Sequence, residues 1–225
     1  MAENKFGQMY RNNITNTMVS SLWGKNPEGT GALFKCYISG NCIRLRIFTG
    51  MQADKEKKIK SINFDFKEDK IIDFVSILDT LIKIDEMPFE KGNAIKQIFS
   101  INGFVNGKKE RGEIGRIFVG RDADGVYFIS GVNNSHGKVK FPITFNSRDT
   151  VLYNLNTNEP ADEHYKSKIY MRAWVSTVKN LIATVLTQEY VEPKKQADKQ
   201  SNTSNNQSST TTDSGYSDDL DDIQW

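Results

Sequence analysis

The residues able to carry chemistry are few in this chain and widely spaced. There are two histidines, His136 in a Gly/Asn stretch and His164 ahead of a helical pattern. Neither stands at metal-ligand spacing from a cysteine or a carboxylate. Asp122-Ala123-Asp124-Gly125 opens like a calcium loop but lacks the later ligands and the closing Glu, so it is read as a tight turn. No Walker loop, Gly-rich dinucleotide fingerprint or nucleophile elbow occurs. The expectation is a non-enzyme without cofactor or metal. What the sequence does supply is a recurring mixture of cations and rings: Lys35, Tyr37, Arg44, Arg46 and Phe48, then Arg116, Phe118 and Tyr127, then Lys138 and Lys140. Cations follow phosphates, and each base stacked on a ring contributes ~1–3 kcal/mol whatever its identity, so this mixture suits single-stranded nucleic acid. The plainer reading of the same residues is a set of solvated, Lys/Arg-rich strand faces, with Phe48 and Phe118 packed under loops or at a subunit contact.

For these residues to act together, strands must present them on one face. Residues 32–39 and 41–49 are β-rich runs meeting at Gly40-Asn41, a hairpin signal. Ile43, Leu45 and Ile47 alternate with Arg44, Arg46 and Phe48, and hairpin parity adds Lys35 and Tyr37 to the charged face. The same parity sends Cys36 and Cys42 to opposite faces, which argues against a disulfide between them. Residues 14–23 are read as a first strand, 24–31 as a loop and 58–66 as a further strand after a Lys/Glu-rich loop. In 69–84 the apolar residues recur at three and four, marking an amphipathic helix. Strands follow at 94–105, 113–121, 126–132 and 138–145, and a second long helix spans 162–189. In the second set Ile117 and Val119 are expected to share a face with Val126 and Phe128, leaving Arg116, Phe118, Tyr127 and Ile129 opposite. Consecutive strands without intervening helices predict an α+β fold, with antiparallel sheets, two long helices and a strands-then-helix order used twice.

Beyond about residue 192 the composition changes to Ser, Thr, Asn, Gln and Asp, with little to bury. Such a segment does not offset its ordering entropy, so 193–225 is expected to be a disordered linker ending in an acidic tip. Residues 1–192 form the expected globular domain. The chain has 30 basic and 28 acidic residues, but the segment 193–225 holds three Lys against six Asp, so the globular part is formally about five charges positive. A basic body with an acidic tail fits a polyanion ligand and a tail that competes for its site or recruits a basic partner. With no signal peptide and no apolar run of membrane-spanning length, the expectation is a cytoplasmic protein, without a membrane partner.

The tip, Asp218-Asp219-Leu220-Asp221-Asp222-Ile223-Gln224-Trp225, resembles that of the single-stranded DNA-binding proteins of bacteria and bacteriophages, in which a basic, aromatic body carries a flexible polar linker and an acidic end closed by an aromatic. Trp225 stands where that family usually has Phe. The resemblance implies a protein that coats single-stranded DNA in replication, recombination and repair. It also implies that Asp218, Asp219, Asp221, Asp222, Ile223 and Trp225 recruit enzymes such as a polymerase, helicase or primase. A phage origin would place it in the host cytoplasm. The body is similar in element order to the Whirly and transcriptional-coactivator type of single-strand binder, and Phe141-Pro142-Ile143-Thr144 resembles the end of the Whirly domain, although the Lys-Gly-Lys-Ala signature of that family is missing. The alternative fold is an oligonucleotide-binding β-barrel with an appended helix. The alternative function is a protein–protein adaptor with no nucleic-acid role, and a metal-dependent nuclease built from dispersed carboxylates ranks third. Self-association stays open.

Overall fold

A computed structural model describes residues 20–39, 42–56, 61–67, 70–104, 111–133, 139–145 and 151–187. Four strands come first: β1 (Leu22–Lys25), β2 (Gly31–Ser39), β3 (Cys42–Phe48) and β4 (Ile62–Lys67), with a short helix α1 (Gln52–Glu56) between the last two. Helix α2 (Lys70–Glu86) closes the first half. The second half repeats the order with β5 (Ile95–Phe104), β6 (Arg111–Arg121), β7 (Tyr127–Asn133), β8 (Val139–Pro142) and helix α3 (Glu163–Leu186). The protein is α+β, with two antiparallel four-stranded sheets ordered β1-β2-β3-β4 and β5-β6-β7-β8. Among the described residues the strands therefore form two separate ladders.

The register of the first sheet follows from its hairpin. Ser39 pairs with Cys42, so the two-residue connection sets odd-numbered residues of β2 opposite even-numbered ones of β3. Phe34, Cys36, Ile43, Leu45, Ile47, Phe64 and Phe66 point into the core, and Lys35, Tyr37, Arg44 and Arg46 lie on the other face. Cys36 is in the core and Cys42 takes the opposite parity, and neither forms a disulfide. The first strand begins at Leu22, and Gly24 and Lys25 belong to it rather than to the following loop; residues 14–19 of the expected strand lie outside the described residues.

The second sheet departs from expectation at one connection. Five residues, Asp122–Val126, link β6 to β7, and Arg121 pairs with Tyr127. An odd-length connection puts residues of equal parity opposite each other, so Ile117 and Val119 share the core face with Tyr127 and Ile129, while Phe118 and Phe128 face outward. Val126 precedes the strand. The loop is held by Asp122, whose backbone N–H donates to the Val126 carbonyl at 3.0 Å and whose side chain accepts from the Asp124 and Val126 N–H groups. Gly125, at φ 86°, supplies the left-handed corner.

The two sheets, α2 and α3 bury one continuous apolar core. Phe34 of the first sheet lies 5.7 Å, centroid to centroid, from Phe141 of the second and 6.3 Å from Trp174 of α3. Phe66 meets Phe74 of α2 at 5.3 Å. Close approach of the sheets depends on glycine. A Cβ on Gly24 of β1 would stand 2.8 Å from the Lys140 carbonyl of β8, and one on Gly131 of β7 would stand 2.2 Å from Ile47 Cδ1 of β3. Asp162 caps α3 by accepting from the Tyr165 N–H at 2.7 Å.

Candidate functional site

The face of the first sheet turned away from the core gathers the first group of cations and rings in three rows across the strands. Trp23, Leu33 and Phe48 form one row, Lys35, Arg46 and Asn63 the next, and Tyr37, Arg44 and Asp65 the third. Position on neighbouring strands brings the side chains into contact. The Arg46 guanidinium carbon is 5.2 Å from the Tyr37 ring centroid and 5.8 Å from that of Phe48, so the planar cation lies between two rings. Its Nε donates to Asn63 Oδ1 at 3.2 Å, and Lys35 Nζ lies 5.6 Å from the Tyr37 ring. Arg44 forms a two-pronged contact with Asp65, Nε to Oδ1 at 2.6 Å and Nη2 to Oδ2 at 2.9 Å. That hydrogen bond raises the pKa of Arg44 further above its already high value, so it stays charged. Trp23 is 38% exposed at the end of the face.

The second sheet presents its own outward face, with a different character. Arg116 Nε lies 2.8 Å from Glu113 Oε1, and Ser100 donates to the same carboxylate at 2.7 Å. These two hydrogen bonds, that of Ser100 foremost, hold Glu113 below the usual carboxylate range. Lys140 pairs with Asp122, and its Nζ stands 5.0 Å over the Phe128 ring. Phe118 and Phe128 are on this face yet largely covered, and Ile98 beside Phe118 is exposed. Arg116 and Lys140 are thus each matched by a carboxylate, as Arg44 is by Asp65; the first sheet differs in having a guanidinium that lies over two rings. Lys138 and the tip residues Asp218, Asp219, Asp221, Asp222, Ile223 and Trp225 lie outside the described residues.

Tyr127 does not belong to either outward face, and its assignment there is corrected. Its side chain is fully buried, and its hydroxyl donates to Asp85 Oδ1 at 2.7 Å. Burial first, and then the Asp85 carboxylate, push the phenol up to about 12. Asp85, at the end of α2, also accepts from Arg172 Nε of α3 at 2.6 Å and lies 3.4 Å from Lys168 Nζ. Burial pulls its pKa upward, but the Tyr127 and Arg172 hydrogen bonds and the two nearby cations prevail and hold it below the usual value. Arg121 joins the same region, donating to the Met87 and Pro88 carbonyls at 3.1 and 2.7 Å and thereby closing the end of α2. His164 stacks on Phe89 at 4.2 Å with Nδ1 3.0 Å from the Gly125 carbonyl. Through these hydrogen bonds Asp85 ties α2, the second sheet and α3 together.

Other reactive groups are similarly occupied. Burial pushes the Cys36 thiol up to about 12, leaving little thiolate at neutral pH. Among the described residues no three His, Cys, Asp or Glu side chains assemble as metal ligands, and no helix is long and apolar enough to cross a membrane. The sequence had not singled out Trp23 or Phe128. Trp23 stands at the end of a weak strand pattern, and an even-length β6–β7 connection would turn Phe128 inward. The chain matches no family model, no curated protein and no solved structure.

Proposed function

We propose that this chain binds single-stranded DNA, without acting on it chemically, through the outward face of its first sheet. The observation that carries this reading is the stack of Tyr37, Arg46 and Phe48, with Lys35 and Trp23 beside it. Rings on neighbouring strands offer flat surfaces to successive bases, and the cations between them lie where a backbone would run. A duplex hides its base faces and gains nothing from the rings. The second sheet is the secondary contact, since its rings on the outward face, Phe118 and Phe128, are largely covered. Four strands and a helix, used twice, are also the element order of the Whirly and coactivator type of binder, which supports the same reading. The sequence of the tip completes it: the body holds the strand in a replication, recombination or repair setting in the host cytoplasm, and the acidic end recruits polymerase, helicase or primase.

Fluorescence titration with oligo-dT over a salt series tests this. The expected result is preference for the single strand over a duplex of the same length and a log-linear loss of affinity with salt. Affinity indifferent to salt, or greater for duplex, overturns the proposal. No retention on single-stranded DNA at low salt favours the adaptor function instead.

A further inference from the structure

Between the second sheet and α3 the chain makes a small hairpin that packs little of its apolar surface. The Asn154 N–H donates to the Glu159 carbonyl at 2.8 Å, the Ala161 N–H to the Leu152 carbonyl at 2.9 Å, and Tyr153 bridges Pro160. Asn158, at φ 53°, makes the bend. Val151 and Tyr153 alternate with the half-buried Leu152 and Asn154, and Leu155 opens the turn; the three apolar residues are 58%, 53% and 85% exposed. Three neighbouring exposed apolar groups on one hairpin form a patch, which differs from scattered exposed side chains. From 151 to 162 the segment contains Glu159 and Asp162 and no basic residue.

The opposite character is found on β5. This ten-residue strand is at the edge of the second sheet, with β6 on one side and, among the described residues, no strand on the other. It contains no proline, and its Ile98 is 44% exposed. From Lys91 to Phe104 the sequence has Lys91 and Lys96 and no acid. An edge of this kind is a template for another extended segment, and an acidic, apolar segment is the complementary one.

We infer that the 151–161 hairpin of one copy of this chain docks along the β5 edge of a second copy. The apolar side of the hairpin lies beside Ile98, and Glu159 is set against Lys96. The contact inferred is head-to-tail, one hairpin into one edge per pair, which leaves a hairpin and an edge open so that it repeats from copy to copy; a reciprocal pair closed on a two-fold axis is a different contact. The inference is independent of nucleic-acid binding, and its test contains no DNA.

Light scattering and sedimentation equilibrium of the full chain over a concentration series are the measurements. The wild type is expected to rise in average mass without a plateau at the dimer, and less steeply as salt increases. Tyr153→Ser with Leu155→Ser removes the hairpin patch, and Lys96→Glu with Ile98→Ser removes the edge; each protein alone is expected to be monomeric. An equimolar mixture of the two is expected to give a dimer and nothing larger, because one intact hairpin meets one intact edge. A monomeric wild type, a wild type that stops at a closed dimer, self-association retained by either variant, or a mixture that stays monomeric each overturns the inference. Zero-length crosslinking of mixed isotopically light and heavy wild-type chains gives a readout that needs no variant to fold. Mixed-isotope peptides joining Glu159 to Lys96 support the contact, and their absence overturns it.

Discussion

At the scale of single residues, Arg46 is the side chain on which the proposed interface turns. Its guanidinium is already stacked between Tyr37 and Phe48, so bases arrive at rings whose spacing is set by the strands and not by the ligand. Trp23→Ala and Phe48→Ala are each expected to weaken oligo-dT binding by ~1–3 kcal/mol in fluorescence titration, the range for a base stacked on a ring. Tyr127→Phe provides the contrast, with unchanged DNA affinity and a loss of stability of ~1–3 kcal/mol, because it removes the phenol that donates to Asp85 Oδ1. The first-sheet residues were legible in the sequence because alternation in a two-residue hairpin assigns faces unambiguously. Tyr127 was not, since its face depends on whether its connection holds an odd or an even number of residues, and Asp122-Ala123-Asp124-Gly125 resembles a four-residue turn.

At the scale of elements, the order of the strands and the two long helices is readable from the change of hydrophobic period, whereas the short α1 falls where the sequence reads a Lys/Glu-rich loop; most boundaries fall within a few residues of the observed ones. The junctions between elements were not readable. Asp85 and Arg121 look like solvated charges on a helix end and a strand, and only the packed structure brings them to Tyr127 and to the carbonyls of Met87 and Pro88. The junction has a consequence in acid. Asp85 has a lower pKa folded than unfolded, so its stabilising contribution is fully present above about pH 4, its ordinary range, and is lost as pH falls through the folded value. Urea unfolding measured from neutral to acid pH is expected to show this loss, and Asp85→Asn is expected to start less stable and to show a shallower acid dependence. An unchanged acid slope in that variant would assign the acid loss to other carboxylates.

At the scale of the whole molecule, the asymmetry of charge sets the division of labour proposed for body and tip. Removing residues 218–225 is expected to leave oligo-dT affinity unchanged or higher, since four carboxylates are lost, while pull-down of a replicative polymerase or helicase from the same system disappears. Recruitment that survives the truncation would count against the tip. The head-to-tail contact belongs to this scale as well. Copies strung along their β5 edges would set neighbouring first-sheet faces at a fixed spacing, and binding of one strand to several of them gains from effective concentration without any new contact to DNA.

Trp23 and Trp174 differ in their surroundings, and that difference turns the protein into its own optical probe. Trp174 is buried in the core with its indole N–H donating to the Ser20 carbonyl at 3.1 Å, whereas Trp23 is at the open end of the first-sheet face. In a Trp225→Phe chain the tryptophan emission has only these two sources. Iodide is expected to quench the red-shifted part from Trp23 and to spare the blue-shifted part from Trp174. Saturation with oligo-dT is expected to abolish the iodide-sensitive part alone, which would report occupancy of that face without any label on the nucleic acid.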